Sequence, residues 1–306
     1  MWFKNLLTYR ITQTLELTAE QLEEALRSKP AIVPASQVVQ TAGFIAPASK
    51  EDDAPLAHQV HGVYLVALRT YERMLPARVV NDKLEEKVEE IENSQSRKVY
   101  RKEKSQLKDD IIQALLPQAF VNKTTTYAAI DVKSGLIYIN TATASAAEAV
   151  LSTLREVLGS LPVRPVTVKI APSATFSDWI RTETTADGFY VLSNCRLSDT
   201  GDEAGEINFK NQDLTGDEIK ALLASGKVVT QLRLAYKDRL SFTVDDKLAF
   251  RAVRFDDLVQ EQAAQDGGDD AAGQLDASFW LMISTLNEML PILLTALGGE
   301  ELPQSI

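Results

Sequence analysis

The densest chemical potential in the chain lies in the run 97–108 (RKVYRKEKSQLK), where six bases are interrupted by one acid. On a helix of 3.6 residues per turn, Arg97, Arg101, Lys104 and Lys108 fall within about 60° of one another. They would form a stripe about 16 Å long, with Lys98 and Lys102 flanking it and Tyr100 beside it. Such a row suits the successive phosphates of a nucleic-acid backbone and has no means of reading bases. The spacing equally describes a solvated helix. It also describes a helical hairpin tied by surface ion pairs to the preceding stretch 82–92, which holds six acids and two lysines. Both readings stay open at this level.

Signatures of catalysis are weaker. The two histidines, His58 and His61, have the spacing H-x-x-H but no third ligand nearby, and they open a strand-like run. Gly226-Lys227 lacks the first glycine of a phosphate-binding loop, because Ala221 stands in its place. Neither G-x-S-x-G nor G-x-G-x-x-G occurs. Nothing singles out the acid pairs Asp52-Asp53, Asp109-Asp110, Asp245-Asp246, Asp256-Asp257 and Asp269-Asp270 as two-metal nuclease ligands. Cys195 is the single cysteine and sits in an apolar stretch, so it reads as a small buried hydrophobe and excludes an intrachain disulfide. These residues lead us to expect no enzyme: no catalytic residue, no metal site and no cofactor.

The charge total argues against a phosphate partner until its placement is considered. The chain has 306 residues with 32 bases against 43 acids, a formal net charge of −11. All 32 bases and 33 of the acids precede residue 255; the remainder holds ten acids and no base. The excess therefore belongs to the last sixth of the chain. Turned outward, that segment would keep the rim from DNA and steer DNA to the basic surfaces.

The elements that must position these groups follow from periodicity. Residues 6–12 read as a strand, and Thr18 opens a capping box before AEQLEEALRS. Residues 59–69 read as a second strand, and 81–116 as a long helix or two-helix finger. A hairpin follows, TTTYAAIDV and LIYINTA, turning at Lys133-Ser134-Gly135. Ser145 with Glu148 and Thr215 with Glu218 are expected to cap two further helices. RPVTVKI and GFYVLSN read as strands, with a short helix at FSDWIRT between them. Residues 227–255 alternate as an antiparallel meander: Val228, Leu232, Leu234 and Tyr236 face one side, and Lys227, Gln231, Arg233 and Lys237 face the wet one.

Residues 260–274, acidic and Gly-rich, read as a linker. Residues 277–297 are apolar enough to span a membrane. However, Leu275, Phe279, Met282, Leu286, Leu290, Leu293 and Leu297 form one stripe, opposite Ser284, Asn287, Glu288 and Pro291. This favours a buried or dimer-forming helix and no membrane. The first seven residues carry no secretory signal, which fits a reducing cytoplasm. The resulting fold class is α+β: antiparallel sheets with packed helices and a protruding helical finger. Its divisions are an N-terminal α+β part (1–76), the finger (77–120), a central part with the meander (121–259), and an acidic linker with an amphipathic helix (260–306).

Five segments carry a family resemblance in order and at compatible spacing: WFKN (2–5), ALLPQAF (114–120), LGSLPV (158–163), QDLT with EI and GKVVT (212–230), and ALGGEE (296–301). Over its whole length the chain resembles the bacterial recombination-associated RdgC family. The resemblance implies a non-enzymatic, nucleoid-associated protein of the cytoplasm. Its horseshoe-shaped subunits pair head-to-head and tail-to-tail into a ring. The basic hole of that ring encircles double-stranded DNA without sequence preference, and this restrains the RecA recombinase by occupying its DNA. It further implies that Phe120, with Leu116 in the same motif, closes the dimer at the tip. Arg97, and Lys210 with Gln212, match positions tied to DNA contact. Asn211 departs from the base that members often carry there, which moves weight to the 97–108 stripe and to Arg233 and Lys237 of the meander. A core role for Phe120 is the competing reading. The competing function is a regulator that contacts the recombinase directly through its acidic C-terminus.

Overall fold

The computed structural model describes residues 1–51, 53–201 and 205–301, so Asp52 of the first acid pair lies outside the described residues. Strand alternation sets its layers. In the run Val63 to Leu68, Val63 and Leu65 enter one hydrophobic core, while Tyr64, Val66 and Leu68 enter a second. That run lies in the central part of a seven-stranded antiparallel sheet. Its strands are β1 (Leu7–Ile11), β2 (Gln40–Ile45), β3 (His58–Val60), β4 (Val63–Met74), β5 (Phe120–Asp131), β6 (Leu136–Ile139) and β7 (Val163–Pro165). Their order is β2-β4-β5-β6-β1-β7, with β3 also pairing β4. One face is covered by α1 (Ala19–Arg27) and α4 (Ala144–Leu158), through Leu22, Leu26, Val150, Leu151 and Leu154.

The other face shares its core with a second, five-stranded sheet. This contains β8 (Phe189–Ser198), β9 (Glu206–Lys210), β10 (Val228–Tyr236), β11 (Leu240–Asp245) and β12 (Phe250–Phe255), ordered β12-β11-β10-β8-β9. Into the shared core pack α5 (Pro172–Thr182), α6 (Asp217–Ala224) and above all the long helix at Ala271–Ala296. Before that helix runs α7 (Asp257–Asp266), so the long helix is α8. Among the described residues α8 is the one helix long and apolar enough to cross a membrane. Phe279, Met282, Ile283, Leu286, Met289, Leu290, Leu293 and Leu294 are nevertheless buried inside the subunit. Each such side chain contributes roughly 1.5–3 kcal/mol.

The fold is α+β, as the pattern of elements predicts, and several local expectations are corrected. His61 and Gly62 have positive φ (49° and 85°) and split the single expected strand into the tight β3–β4 hairpin. Thr18 forms its capping box with Gln21. Ser145 and Thr215 cap nothing: α4 starts at Ala144 after Thr143, and α6 starts at Asp217 after Gly216. The Thr215 hydroxyl instead donates to Asp213 Oδ1 at 2.8 Å. The strand expected over 164–170 stops at Pro165, after which Lys169 and Ile170 bond to the backbone of Gly299 and Leu297. A bulge between Val229 and Gln231 shifts the phase of β10, so Val229, not Val228, joins Leu232, Leu234 and Tyr236 in the core. The expected linker is mostly helix: α7 is capped by Asp256 and α8 by Asp270, with only a short Gly267-Gly268 turn between them.

Polar groups tie α8 to both sheets. Asn287 Nδ2 donates to the buried Asp131 at 2.6 Å, and Asn287 Oδ1 accepts from the Tyr138 hydroxyl at 2.8 Å. The expectation that Asn287 lies on an unused polar side is therefore corrected. Burial and the Asp131 charge push the Tyr138 phenol up from its ordinary value. Glu288 accepts from Lys237 at 2.8 Å, Arg239 at 2.9 Å and the Tyr236 hydroxyl at 3.2 Å. The Lys237 bond comes first in holding the Glu288 carboxyl below the usual range.

Asn287→Leu strands Asp131 and the Tyr138 hydroxyl, so denaturant unfolding should show a loss of about 2–3 kcal/mol. A change within about 0.5 kcal/mol would contradict the network. A carboxyl with a lowered folded pKa contributes stability above its unfolded pKa and loses it as pH falls through the folded value. Glu288→Gln should therefore flatten the fall in stability between about pH 5 and 3. Because the group is partly solvated, its cost at neutral pH is only about 0.5–1 kcal/mol. An acid limb identical to that of the unsubstituted protein would refute the assignment.

Candidate nucleic-acid interface

The finger is an insertion in the β4–β5 hairpin. The two strands pair from Val63↔Asp131 outward to Met74↔Phe120, and the chain between them forms α2 (Ala77–Gln95) and α3 (Arg101–Leu115). The inner half of the ladder is buried and its outer half is largely exposed. Ser96 ends α2 in a left-handed conformation (φ 48°), and Val99 is buried beneath the turn, its N–H donating to Glu92 Oε1 at 2.9 Å.

This turn changes the expected stripe. Arg97 and Lys98 precede the first helical residue of α3, so Arg97 is not aligned with the others. Its guanidinium forks onto Glu103 at 2.7 and 2.6 Å, which holds the Glu103 carboxyl below its ordinary range. Arg101, Lys104 and Lys108 remain on one face of α3, a row about 10 Å long, with Lys102 to one side. None of these four has an ion-pair partner among the described residues, and Arg101, Lys102 and Lys104 are exposed. Ion pairs within α2, Lys83–Glu86 and Lys87–Glu90, hold its own lysines. Among the described residues none joins α2 to α3, so the hairpin tied by ion pairs is not what forms.

A second basic surface is the wet face of the five-stranded sheet. The pairs Arg196↔Gln231, Arg196↔Asn208, Asn194↔Lys210, Arg233↔Thr243, Thr243↔Arg251 and Ser241↔Arg254 place these side chains on one side, with the exposed Tyr190 opposite Ala235. Arg196 contacts Glu206 at 3.7 Å, Arg251 contacts Asp245 at 3.4 Å and Arg254 contacts Asp257 at 3.4 Å. Arg233 and Lys210 carry no such partner among the described residues. Lys237 does not belong with them. It sits in the β10–β11 turn (φ 45°), bonded to Glu288. Gln212 lies in the loop after β9, its N–H donating to Ser193 O at 3.0 Å. Asn211 has φ 53°, a left-handed turn that asparagine tolerates well and that accounts for its presence there.

Sequence reasoning missed Arg69 and Lys123. They lie on the face of the β4–β5 ladder that continues outward from Leu65 and Ala129, together with Tyr71. Nothing short of the register could show that a strand buried over Val63–Leu68 emerges from the core at Arg69. Arg196, Arg251 and Arg254 were missed for the same reason: the bulges that set their side of the sheet are invisible to simple alternation.

At the finger's base, Phe120 is 86% exposed and shares a face with Met74. The reading of Phe120 as core is thereby excluded within the subunit. Beside it opens a cleft of about 630 Å³ lined by Val39, Met74, Pro76, Val80, Ile112 and Leu116. Leu116 is buried, so it forms cleft wall and does not project. His58 Nε2 pairs with the Asp276 carboxylate at 2.7 Å, and the His61 ring packs at a tilt against Trp280 with centroids 4.6 Å apart. Among the described residues no three His, Cys, Asp or Glu side chains gather to hold a metal ion. Burial pushes the Cys195 thiol up to about 12.

Seven of the ten C-terminal acids, Asp256, Asp257, Glu261, Asp266, Asp269, Asp270 and Glu301, are exposed. Six of the ten are engaged: Glu288 as above, Glu300 with Arg10 and Arg164, Asp276 with His58, Asp257 with Arg254, and Asp256 and Asp270 as caps.

The family model described as "Putative exonuclease, RdgC" matches residues 1–300. Proteins named "Recombination-associated protein RdgC" from Pseudomonas syringae pv. syringae (strain B728a) and Pseudomonas entomophila (strain L48) are each 58% identical over 306 residues, covering all of both chains. The protein of that name from Pseudomonas putida (strain KT2440) is 58% identical over 307 residues, again over the full length of both. The two descriptions differ on activity, and no feature among the described residues speaks for catalysis. With the match running from end to end, the chain belongs to the RdgC family of recombination-associated proteins.

Proposed function

We propose that this protein binds double-stranded DNA without regard to sequence, encircles it as a ring-shaped homodimer, and limits RecA-mediated recombination by occupying the DNA. The observation that carries the reading is the unpaired row Arg101, Lys104 and Lys108 on a finger projecting beyond the core. Leaving three cations without partners, beside an α2 whose lysines are paired, favours phosphate as their counter-charge. Arg233, Lys210 and Gln212 add a second contact surface, and Arg97 and Lys98 sit at the finger's end. Lys237, held by Glu288, is withdrawn from the set.

Each subunit, horseshoe-shaped in this reading, offers at the base of its finger both a knob, Phe120, and an apolar cleft. One two-fold axis would satisfy both copies at once. Such a protein works at the nucleoid, in the cytoplasm, and binds DNA without cutting it. The alternative, recombinase contact through an acidic tail mimicking DNA, is disfavoured because the long helix of that segment is core and its Glu288, with Glu300 just beyond, is held in ion pairs within the subunit.

Titration of random-sequence duplexes against salt tests the reading. Replacing Arg101, Lys104 and Lys108 by Ala should reduce the slope of log K against log salt by about 2–3 per subunit, alike for every sequence. An unchanged slope excludes the row as a phosphate contact. Cleavage of the duplex by the unsubstituted protein with Mg²⁺ or Mn²⁺ would overturn the non-enzymatic reading.

A further inference from the structure

Arg73 is the last residue but one of β4, opposite Val121, and its side chain reaches backbone carbonyls of two other segments. Nη1 donates to Leu116 O and to Ala119 O, each at 3.3 Å, and Nη2 donates to Pro34 O at 3.1 Å. The Arg73 N–H donates to Val39 O at 2.8 Å. One residue thus fastens together the segment between α1 and β2, the outer end of β4, and the return of the finger into β5. Its Nε is buried with no hydrogen-bond partner among the described residues, and the partners of the guanidinium there are all carbonyls.

The carbonyls it takes are ones that the local sequence leaves bare. α3 ends with Leu116 as its cap, and no base occupies its last turn. A helix end concentrates partial negative charge on its carbonyls, which a cation offsets. Arg73 supplies that cation from a neighbouring strand. A single 3-10 turn, Leu116–Gln118, follows with Pro117 in it, and Ala119 then becomes extended (φ −69°, ψ 138°) to start β5. The planar fork of Arg73 holds both ends of this passage from helix to strand.

Phe120 is the next residue. It pairs with Met74 at the last rung of the ladder. At that rung β4 is the one neighbour of β5 among the described residues, because β6 pairs only with Ala128 to Asp131. The Phe120 side chain is exposed, so no packing within the subunit fixes it. A strand end of this kind frays unless something ties it down. A knob on a frayed end would lose its freedom on entering a second copy, and that loss weakens association. With Ala119 pinned, most of the freedom is already gone in the separate subunit.

We infer that Arg73 is a positioning residue for the contact made by Phe120. By bridging the Leu116 and Ala119 carbonyls to the Pro34 carbonyl, it sets the direction in which the knob leaves the subunit. The inference rests on the homodimer contact proposed above, and Arg73 acts in it within its own subunit.

Sedimentation velocity of the full chain without DNA, together with hydrogen exchange at amides 119–121, tests it. Arg73→Met keeps the apolar stem and removes the fork, so the subunit should fold. It should raise the dimer dissociation constant about tenfold, as expected when one side chain per copy must be ordered on binding. Phe120→Ala should raise the constant too, and adding Arg73→Met to it should change nothing further, because Arg73 works through the knob. In the Phe120→Ala background, Arg73→Met should still speed exchange at 119–121 about tenfold while the core amides of β10 keep their protection. Direct contact of Arg73 with a partner would not produce that response. Arg73→Lys keeps the charge but cannot span both sets of carbonyls, so it should behave as Arg73→Met does.

A parent-like dissociation constant for Arg73→Met, effects of Arg73→Met and Phe120→Ala that add in full, or unchanged exchange at 119–121 would each overturn the inference and leave the Phe120 contact standing. So would parent-like behaviour of Arg73→Lys. If Phe120→Ala leaves the dissociation constant unchanged, the contact itself fails, and the inference falls with it.

Discussion

Eight large apolar side chains of α8 need cover on two sides, and neither sheet alone supplies it. Their burial forces the two sheets to share one core and draws α5 and α6 in beside them. It also explains where the polar groups of the helix go. Asn287 reaches Asp131 and Tyr138 of one sheet, Glu288 reaches the β10–β11 turn of the other, and Asp276 reaches His58. Just beyond the helix, Glu300 sits between Arg10 and Arg164. The segment that carries nearly the whole negative excess thus also supplies the central helix of the subunit, and Asp257, Asp276, Glu288 and Glu300 pair with bases of the surrounding body.

That arrangement frees the periphery for another task. With α8 holding the core, the β4–β5 ladder can run past it and carry α2 and α3 outward on an otherwise exposed pair of strands. The finger itself buries little: α3 has no fully buried residue, and its seam with α2 is two helices wide. Its cations are therefore held at the surface with little else to satisfy them. The wet face of the five-stranded sheet repeats the pattern with Arg233 and Lys210. Both surfaces hold cations without ion-pair partners among the described residues, which suits binding through the phosphates.

The layers were legible in the sequence because their signals are strong and local. Periodicity gave α8 its buried stripe, and Thr18 its capping box with Gln21. The alternation of β11 was also plain, and the finger was legible as helical, though not whether as one helix or two. What escaped depended on turns and pairings that periodicity does not show. The 260–274 stretch looked like a linker because its glycines and acids are loop-like. In the fold, Asp256 and Asp270 each cap a helix, and Gly273 lies so close to Gly267 O that a Cβ there would come within 2.3 Å. Arg97 seemed to extend the stripe, but the Ser96 turn takes it out of the helix and Glu103 takes its charge. Lys237 seemed free until α8 brought Glu288 beside it. Composition told how much charge there was, and only tertiary pairing told which cations were left over.

Encirclement is the claim on which the functional account turns, and DNA topology tests it directly. Complexes on closed circular duplex and on the same duplex linearised by one cut should be challenged with excess competitor DNA, and their lifetimes compared. The account predicts that complexes on circles persist and that linearisation releases them, because a ring with sequence-blind contacts slides off a free end. Equal lifetimes on the two forms would contradict it, and would make the protein an open-sided binder.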